Sequence, residues 1–274
     1  MKKNIKWPLL SIVVPTYNSV LTIAETLESI VNQTYPNLEV LVVDGLSNDN
    51  TCEVVNNFML KNNFIKLISE KDTGVYDAMN KGLKLSKGDF LYFMGSDDVF
   101  YNNAIVDKIL TKENRVYDFI YGNVKFKKSK EIHSGESSLL KLIEDQISIC
   151  HQAIFYSRST FDTIGFYDLK YFIHADYDFN IRCFKNENIK IKFVDCIVAI
   201  FNEAGLSGLN SNADGFHTDL TEFNIAQKFT VLDLYNQKMD IERNLKRVSN
   251  SKEYRLGHLL LGPLKKIKKF LQKI

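Results

Sequence analysis

The chain has 274 residues, 45% of them hydrophobic and 25% charged, with a formal net charge of +2. That size and balance fit one large α/β domain, or one domain with a helical appendage. The lysine excess is concentrated in Lys265 to Ile274, so the body is near neutral and argues against a broad nucleic-acid-binding face.

Leu9 to Val14 is a short β-branched apolar run stopped by Pro15. It predicts a strand buried on both faces rather than a leader peptide, although Met1-Lys-Lys precedes it. Asn18 or Ser19 can cap the next helix, where Ile23, Leu27, Ile30 and Val31 recur at helical spacing until Pro36. Residues 38–43 predict the second strand, and the turn cluster from Asp44 to Asn50 leads into a helix reaching about Leu60. Residues 64–69 predict a third strand. Asp72-Thr-Gly74 opens a helix carrying Met79 and Leu83 that ends near Gly88. Residues 90–94 predict a fourth strand, followed at once by Gly95-Ser-Asp-Asp98.

Beyond residue 100 the pattern loosens. Strands are expected at 118–121, 124–126, 189–194 and 197–201, and helices around 138–145 and 177–186. One or two helices are expected from Asp219 to about Asn250. Cys52, Cys150, Cys183 and Cys196 contain no C-x-x-C pair. They are expected as reduced, mostly buried thiols of a cytoplasmic protein, not as a zinc site, redox dithiol or disulfide framework. No apolar run approaches the ~18 residues that a membrane span needs.

Alternating strands and helices imply a mostly parallel sheet with helical crossovers. The carboxyl ends of its strands share one edge, where ligands bind. The segments Pro15-Thr-Tyr-Asn18, Asp44 to Asp49, Glu70 to Gly74 and Ser96-Asp-Asp98 should therefore meet. Each alone is also an ordinary capping loop. Together they gather carboxylates on one rim, a cost that a divalent cation with an anionic ligand would relieve. Asp97-Asp98 is the candidate cation site, because Mg²⁺ and Mn²⁺ take only one or two protein carboxylates beside phosphate oxygens and water. Acids near a helix start have the same appearance.

The stretch from Ser11 to Asp98 resembles a family-2 glycosyltransferase. The matching blocks run from Ser11 to Asn18, Ser29 to Pro36, Glu39 to Thr51, Asp72 to Gly82 and Lys87 to Asp98. The version with Tyr76-Asp-Ala-Met-Asn-Lys-Gly82 is similar to enzymes of bacterial exopolysaccharide and lipopolysaccharide assembly, including the colanic-acid type. The resemblance implies a GT-A fold, with a nucleotide-sugar-binding half over 1–100 and an acceptor-binding half over 101–210. A helical region with a basic amphipathic tail is expected over 211–274.

The resemblance also implies roles. Pro15, Thr16, Tyr17 and Asn18 would line the nucleoside pocket, with the Tyr17 ring facing the base. Asp44 would accept from a uracil or thymine imide, and Asp72 would lie by the base or ribose. Lys81 would approach the donor, or stay solvated. Asp98 would ligate Mn²⁺ or Mg²⁺, and Asp97 would contact ribose or metal-bound water. Phe172 to Arg182 resembles the family's acidic motif, with Ala175 in place of the usual Glu. Asp176 would be the general base toward the acceptor hydroxyl, with Asp178 the rival. His151 would approach acceptor or phosphate, or be a satisfied core residue. Phe201 to Gly208, with Ser207, resembles a loop that folds over the pyrophosphate.

The implied reaction is a single displacement, inverting at the anomeric carbon, from a UDP-sugar or related donor to a saccharide or lipid-linked acceptor. A pyrophosphorylase or dehydrogenase would carry a Gly-rich loop after the first strand, where Pro15-Thr-Tyr-Asn18 stands. The reading from another class is a non-catalytic sugar-nucleotide-binding scaffold. In the tail, Leu264, Ile267, Leu271 and Ile274 share one helical face among lysines. This fits a helix lying on an anionic membrane, peripheral at its inner face, or one packed on a neighbour.

Overall fold

The structure is a computed structural model that describes residues 7–133, 135–202 and 214–250. Contacts divide the chain into a unit Met1–His217 and a unit Thr218–Ile274. The first unit is built on a nine-stranded sheet among the described residues, ordered Ile65–Ser69, Leu38–Asp44, Leu10–Thr16, Phe90–Phe93, Ile154–Ser157, Phe119–Phe126, Ile191–Phe201 and Val99–Phe100, with Ile132–His133 beside Phe119–Phe126.

The amino-terminal half alternates as expected: β1 (Leu10–Thr16), α1 (Ile23–Val31), β2 (Leu38–Asp44), α2 (Thr51–Met59), β3 (Ile65–Ser69), α3 (Val75–Leu85) and β4 (Phe90–Phe93). β2 and β4 flank β1, and β3 flanks β2, all in parallel. Every residue of β1 is buried, as a strand covered on both faces must be. Pro15 fits in it because Val13 accepts from the Met94 amide. The alternate residue, Pro15, turns its nitrogen to the same side, where β4 has already ended, so no ladder bond is lost. α3 lies close over β1: a Cβ at Gly82 would come within 2.3 Å of Val13 Cγ1.

The second half departs from the parallel pattern. β5 (Val99–Phe100), α4 (Ile105–Ile109), β6 (Phe119–Phe126), β7 (Ile132–His133), α5 (Leu139–Ile143), β8 (Ile154–Ser157), α6 (Arg158–Ile164), α7 (Ala175–Lys185) and β9 (Ile191–Phe201) follow in order. β8 is antiparallel to both β4 and β6, and joins the two halves into one sheet. β6 and β9 are each one strand where the sequence suggests two. Their pairing slips at Gly122–Asn123, and the Asn123 side chain donates to Asp195 Oδ1 at 3.0 Å. This is a β-bulge bridged by side chains, so the polar residues bend the strand rather than end it. α8 (Phe216–Asn250) is a single helix.

Fully buried aromatics fill the space between sheet and helices, among them Tyr92, Phe93, Tyr156 and Phe179. Phe161 stacks on Phe179 at 4.8 Å, and Phe93 meets Tyr167 edge-on at 5.3 Å. Edge-to-face and offset contacts of this kind fix α6 and α7 against β4 and β8. The site-bearing start of α7 is thereby anchored to the rigid core.

Candidate active site

A cavity of about 550 Å³ opens beyond the carboxyl ends of β1 and β4, within the usual range for small-molecule sites. Pro15, Thr16, Tyr17 and Asn18 line it, as do Asp72, Asp97, Asp98 and His151. Asn18 adopts φ 49°, a left-handed conformation that asparagine tolerates. In that pose its amide donates to Ser47 Oγ at 2.7 Å, while its Oδ1 accepts from the Asn48 amide at 2.9 Å. The loops after β1 and β2 are thus laced together. Tyr17 leaves its ring 60% exposed at the rim, free for stacking.

Asp44 lies outside the cavity lining. It is fully buried, and its carboxylate accepts from Ser69 Oγ at 2.6 Å, Cys52 Sγ at 3.2 Å and the Ser47 amide at 3.1 Å. Burial alone would raise its carboxyl, but the donors of Ser47, Ser69 and Cys52 outweigh that and hold it below the usual range. Asp72 takes the more open place. Its Oδ1 accepts from the Gly74 amide at 3.0 Å, and its carboxylate lies against Gly45, where a Cβ would be 2.5 Å from Oδ2. Lys81 is also outside the lining, in ion pairs with Glu70 at 3.2 Å and Asp77 at 3.5 Å.

Asp98 is 1% exposed. Its Oδ2 accepts from Gln152 Nε2 at 2.6 Å and its Oδ1 from the Asn202 amide at 2.8 Å. Burial first, then the neighbouring Asp97 charge, lift its carboxyl to about 6. A Cβ at Gly95 would lie 2.6 Å from Asp98 Oδ2, so any larger residue there would push that carboxylate out of place. Asp97 is more open, with Oδ2 accepting from Asn202 Nδ2 at 2.8 Å. Among the described residues no three imidazole, thiol or carboxylate groups gather as a cage for a metal. Two adjacent carboxylates are the donor set of a partial shell, one that phosphate oxygens and water would have to complete were Mg²⁺ or Mn²⁺ held there.

Behind His151, α7 begins two residues earlier than the sequence suggests, so Asp176 and Asp178 lie in its first turn. Asp176 Oδ1 accepts from Tyr76 Oη at 2.7 Å and from the Tyr177 amide at 2.9 Å, while Oδ2 meets His151 Nδ1 at 3.2 Å. Burial pushes Asp176 up, but the His151 bond, then Tyr76 and the Tyr177 amide, bring it below the ordinary carboxylate range. Asp178 turns instead to Arg182 Nε at 2.8 Å. Burial raises its carboxyl despite that partner.

Gln152 and Asn202 hold the Asp97–Asp98 pair, yet nothing in the sequence singles out either for that task. Tyr76 was legible only as part of a motif. Asp214, which binds the start of α7, has no sequence signal at all. Ser207, with the rest of the loop over 203–208, lies outside the described residues, as do 258–274.

A crevice at the carboxyl edge of a parallel half-sheet, with adjacent carboxylates just past its last strand, is the arrangement of a glycosyltransferase of GT-A fold. The chain belongs to glycosyl transferase family 2, whose profile matches residues 11–201. A PGL/p-HBAD biosynthesis glycosyltransferase of Mycobacterium bovis (strain BCG / Pasteur 1173P2) is 40% identical over 202 residues, covering 72% of this chain and 78% of its own. An uncharacterized glycosyltransferase of Haemophilus influenzae is 28% identical over 230 residues, covering 80% and 87%. Among solved structures, S. aureus TarS 1-349 in complex with UDP-GlcNAc superposes with a TM-score of 0.61 at 24% identity, over 72% of this chain and 59% of that one. The mannosyltransferase PcManGT from Pyrobaculum calidifontis, in complex with GDP-Man and Mn²⁺, gives 0.56 at 17% identity, over 83% and 65%. This chain spans less than two thirds of either solved chain. Among the described residues no helix is long and apolar enough to cross a membrane.

Proposed function

We propose that the chain transfers a sugar from a UDP-sugar to a hydroxyl of a saccharide or lipid-linked acceptor, with metal assistance and inversion at the anomeric carbon. The observation that carries this reading is the single cavity lined at once by Tyr17, Asp72, Asp97, Asp98 and His151. The exposed Tyr17 ring offers a stacking face for the base, and Asp72 an acceptor for base or ribose. Asp44 acts from behind, fixing the loop after β2 rather than meeting the base directly. A divalent cation held by Asp97 and Asp98 would supply countercharge for the departing diphosphate. Gln152 and Asn202 orient those carboxylates. The Asp176–His151 pair provides the base that receives the acceptor proton, and one attack opposite the leaving group inverts the configuration. The UDP-GlcNAc complex of TarS and the Mn²⁺ complex of PcManGT support the choice of donor and metal. The nucleotide-sugar half at 1–100, acceptor half at 101–210 and helical region at 211–274 follow the same reading. So does a place at the inner face of a membrane.

The test is UDP release from a panel of UDP-, GDP- and dTDP-sugars, with and without Mn²⁺. Turnover of a UDP-sugar that requires Mn²⁺ and falls about 100-fold or more in Asp98→Ala is expected, the size of a lost transition-state electrostatic contact. Turnover unaffected by chelator and by Asp98→Ala would overturn the metal-assisted reading. UDP binding with no turnover of any donor would leave a non-catalytic binder.

A further inference from the structure

We propose that the atom taking the proton from the incoming hydroxyl is His151 Nε2, with Asp176 as a positioning residue behind it. This rests on the glycosyl-transfer reading above and departs from the simpler assignment of Asp176 as the base.

The hydrogen bonds around the pair argue for this direction. Both oxygens of Asp176 are engaged by the protein, Oδ1 by Tyr76 Oη and the Tyr177 amide, Oδ2 by His151 Nδ1. Asp176 is not part of the cavity lining, whereas His151 is. A carboxylate held below its ordinary pKa is a weak proton acceptor but a good orienter of an imidazole. An ionised Asp176 has no proton to give, so Nδ1 must donate, which leaves the lone pair on Nε2. That nitrogen is buried and has no hydrogen-bond partner. A buried acceptor left unpaired costs stability unless something in the working state satisfies it. An acceptor hydroxyl entering the cavity is a donor of the right kind.

Imidazoles backed by a carboxylate also serve as metal ligands. Here the side chain of the next residue, Gln152, is spent on Asp98, and no three ligating groups gather among the described residues. The charged and polar groups facing the ring are Asp176 from α7, with Tyr76 from α3 bonded to that carboxylate, and Asp98 from the loop after β4. The Cys150 thiol beside it is pushed up by burial and stays neutral. In the step, the hydroxyl proton passes to Nε2 while the acceptor oxygen bonds to the anomeric carbon. The bond from that carbon to the β-phosphate oxygen breaks, and its electron pair leaves with UDP. The imidazolium then returns its proton to water.

The test uses the full chain and whichever UDP-sugar the wild type turns over, with UDP release as the readout. His151→Ala should lower kcat by about 100-fold or more while the Kd values for UDP and Mn²⁺ stay within about twofold, and added imidazole should restore at least about tenfold. Asp176→Ala should respond to neither imidazole nor formate, because it loses orientation rather than the base. The assignment is overturned if His151→Ala keeps most of its kcat, or if it loses Mn²⁺ affinity and so behaves as a ligand. It is equally overturned if formate rescues Asp176→Ala while imidazole fails with His151→Ala. Failure of the glycosyl-transfer reading shows itself in the wild type alone, and failure of this assignment leaves the wild type active.

Discussion

Asp98 carries a conflict that folding creates. Its carboxyl sits near 6 against an ordinary 3.8, because burial and the Asp97 charge both disfavour ionisation. Between those values the folded chain holds a proton that the unfolded chain has released, so the contribution of this group to stability falls as pH rises through the window. A shift of roughly two units corresponds to a penalty of about 3 kcal/mol, fully present above pH 6. Asp44 and Asp176 have lowered values and slope the other way, in more acid solution. Comparing wild type with Asp98→Asn cancels them. From about pH 4.5 to 7 the wild type should lose melting temperature relative to the variant, in melts without metal or nucleotide. The gain in the variant should fall short of the full penalty, since one amide cannot accept from both Gln152 and Asn202. A difference independent of pH would contradict this account. At this scale Asp97, Asp98, Asp72 and the 15–18 segment were legible in the sequence, because each lies at or just past the carboxyl end of a parallel strand. Gln152 and Asn202 were not, because an amide that orients a carboxylate 54 or more positions away leaves no local trace.

The start of α7 depends on a contact just as remote. The Asp214 side chain is fully buried and accepts from the amides of Ile173 and His174 at 2.9 Å each, from the Phe216 amide at 3.2 Å and from His174 Nδ1 at 3.0 Å. His174 in turn stacks on Phe216 at 5.3 Å. The cavity wall at Phe172 and Ile173, and the turn bearing Asp176, are thereby held from outside the helix. Asp214→Ala strands the amides of Ile173, His174 and Phe216 and an imidazole, and should cost about 2–4 kcal/mol in chemical denaturation. Asp214→Asn keeps one carbonyl acceptor and should cost less. Equal stability of all three chains would show that the clamp is idle. The sequence showed α7 through its apolar spacing but misplaced its start. It showed β1 and β4 because parallel strands buried on both faces read as unbroken apolar runs, and β2 and β3 because short β-branched and leucine-rich runs stand between turn signals. β8 and α6 escaped notice because four residues of strand run straight into a helix without a turn signal. β6 and β9 were each divided in two, because a bulge and a strand end present the same polar residues.

For the whole molecule, the proposed lipid-linked acceptor would have to reach the cavity, and the carboxyl-terminal sequence suggests a way to test how. Pro263 to Ile274 contains Lys265, Lys266, Lys268, Lys269 and Lys273 and no acid, with Leu264, Ile267, Leu271 and Ile274 at helical spacing. Near an anionic bilayer each lysine is worth about 1 kcal/mol, and burial of the apolar face adds to it. The body cannot supply such attraction, since the formal charge of the entire chain is only +2. A tail that concentrates the enzyme at a membrane would raise the encounter rate with lipid-linked acceptors without altering the cavity. Deleting 258–274 should therefore abolish co-sedimentation with phosphatidylglycerol vesicles and leave UDP-sugar hydrolysis intact. Wild-type binding should be absent on phosphatidylcholine and should weaken steeply with salt, because the attraction is screened within about 10 Å at 0.1 M. Binding to both vesicle types alike, or retention by the truncated chain, would place the tail against protein instead of lipid.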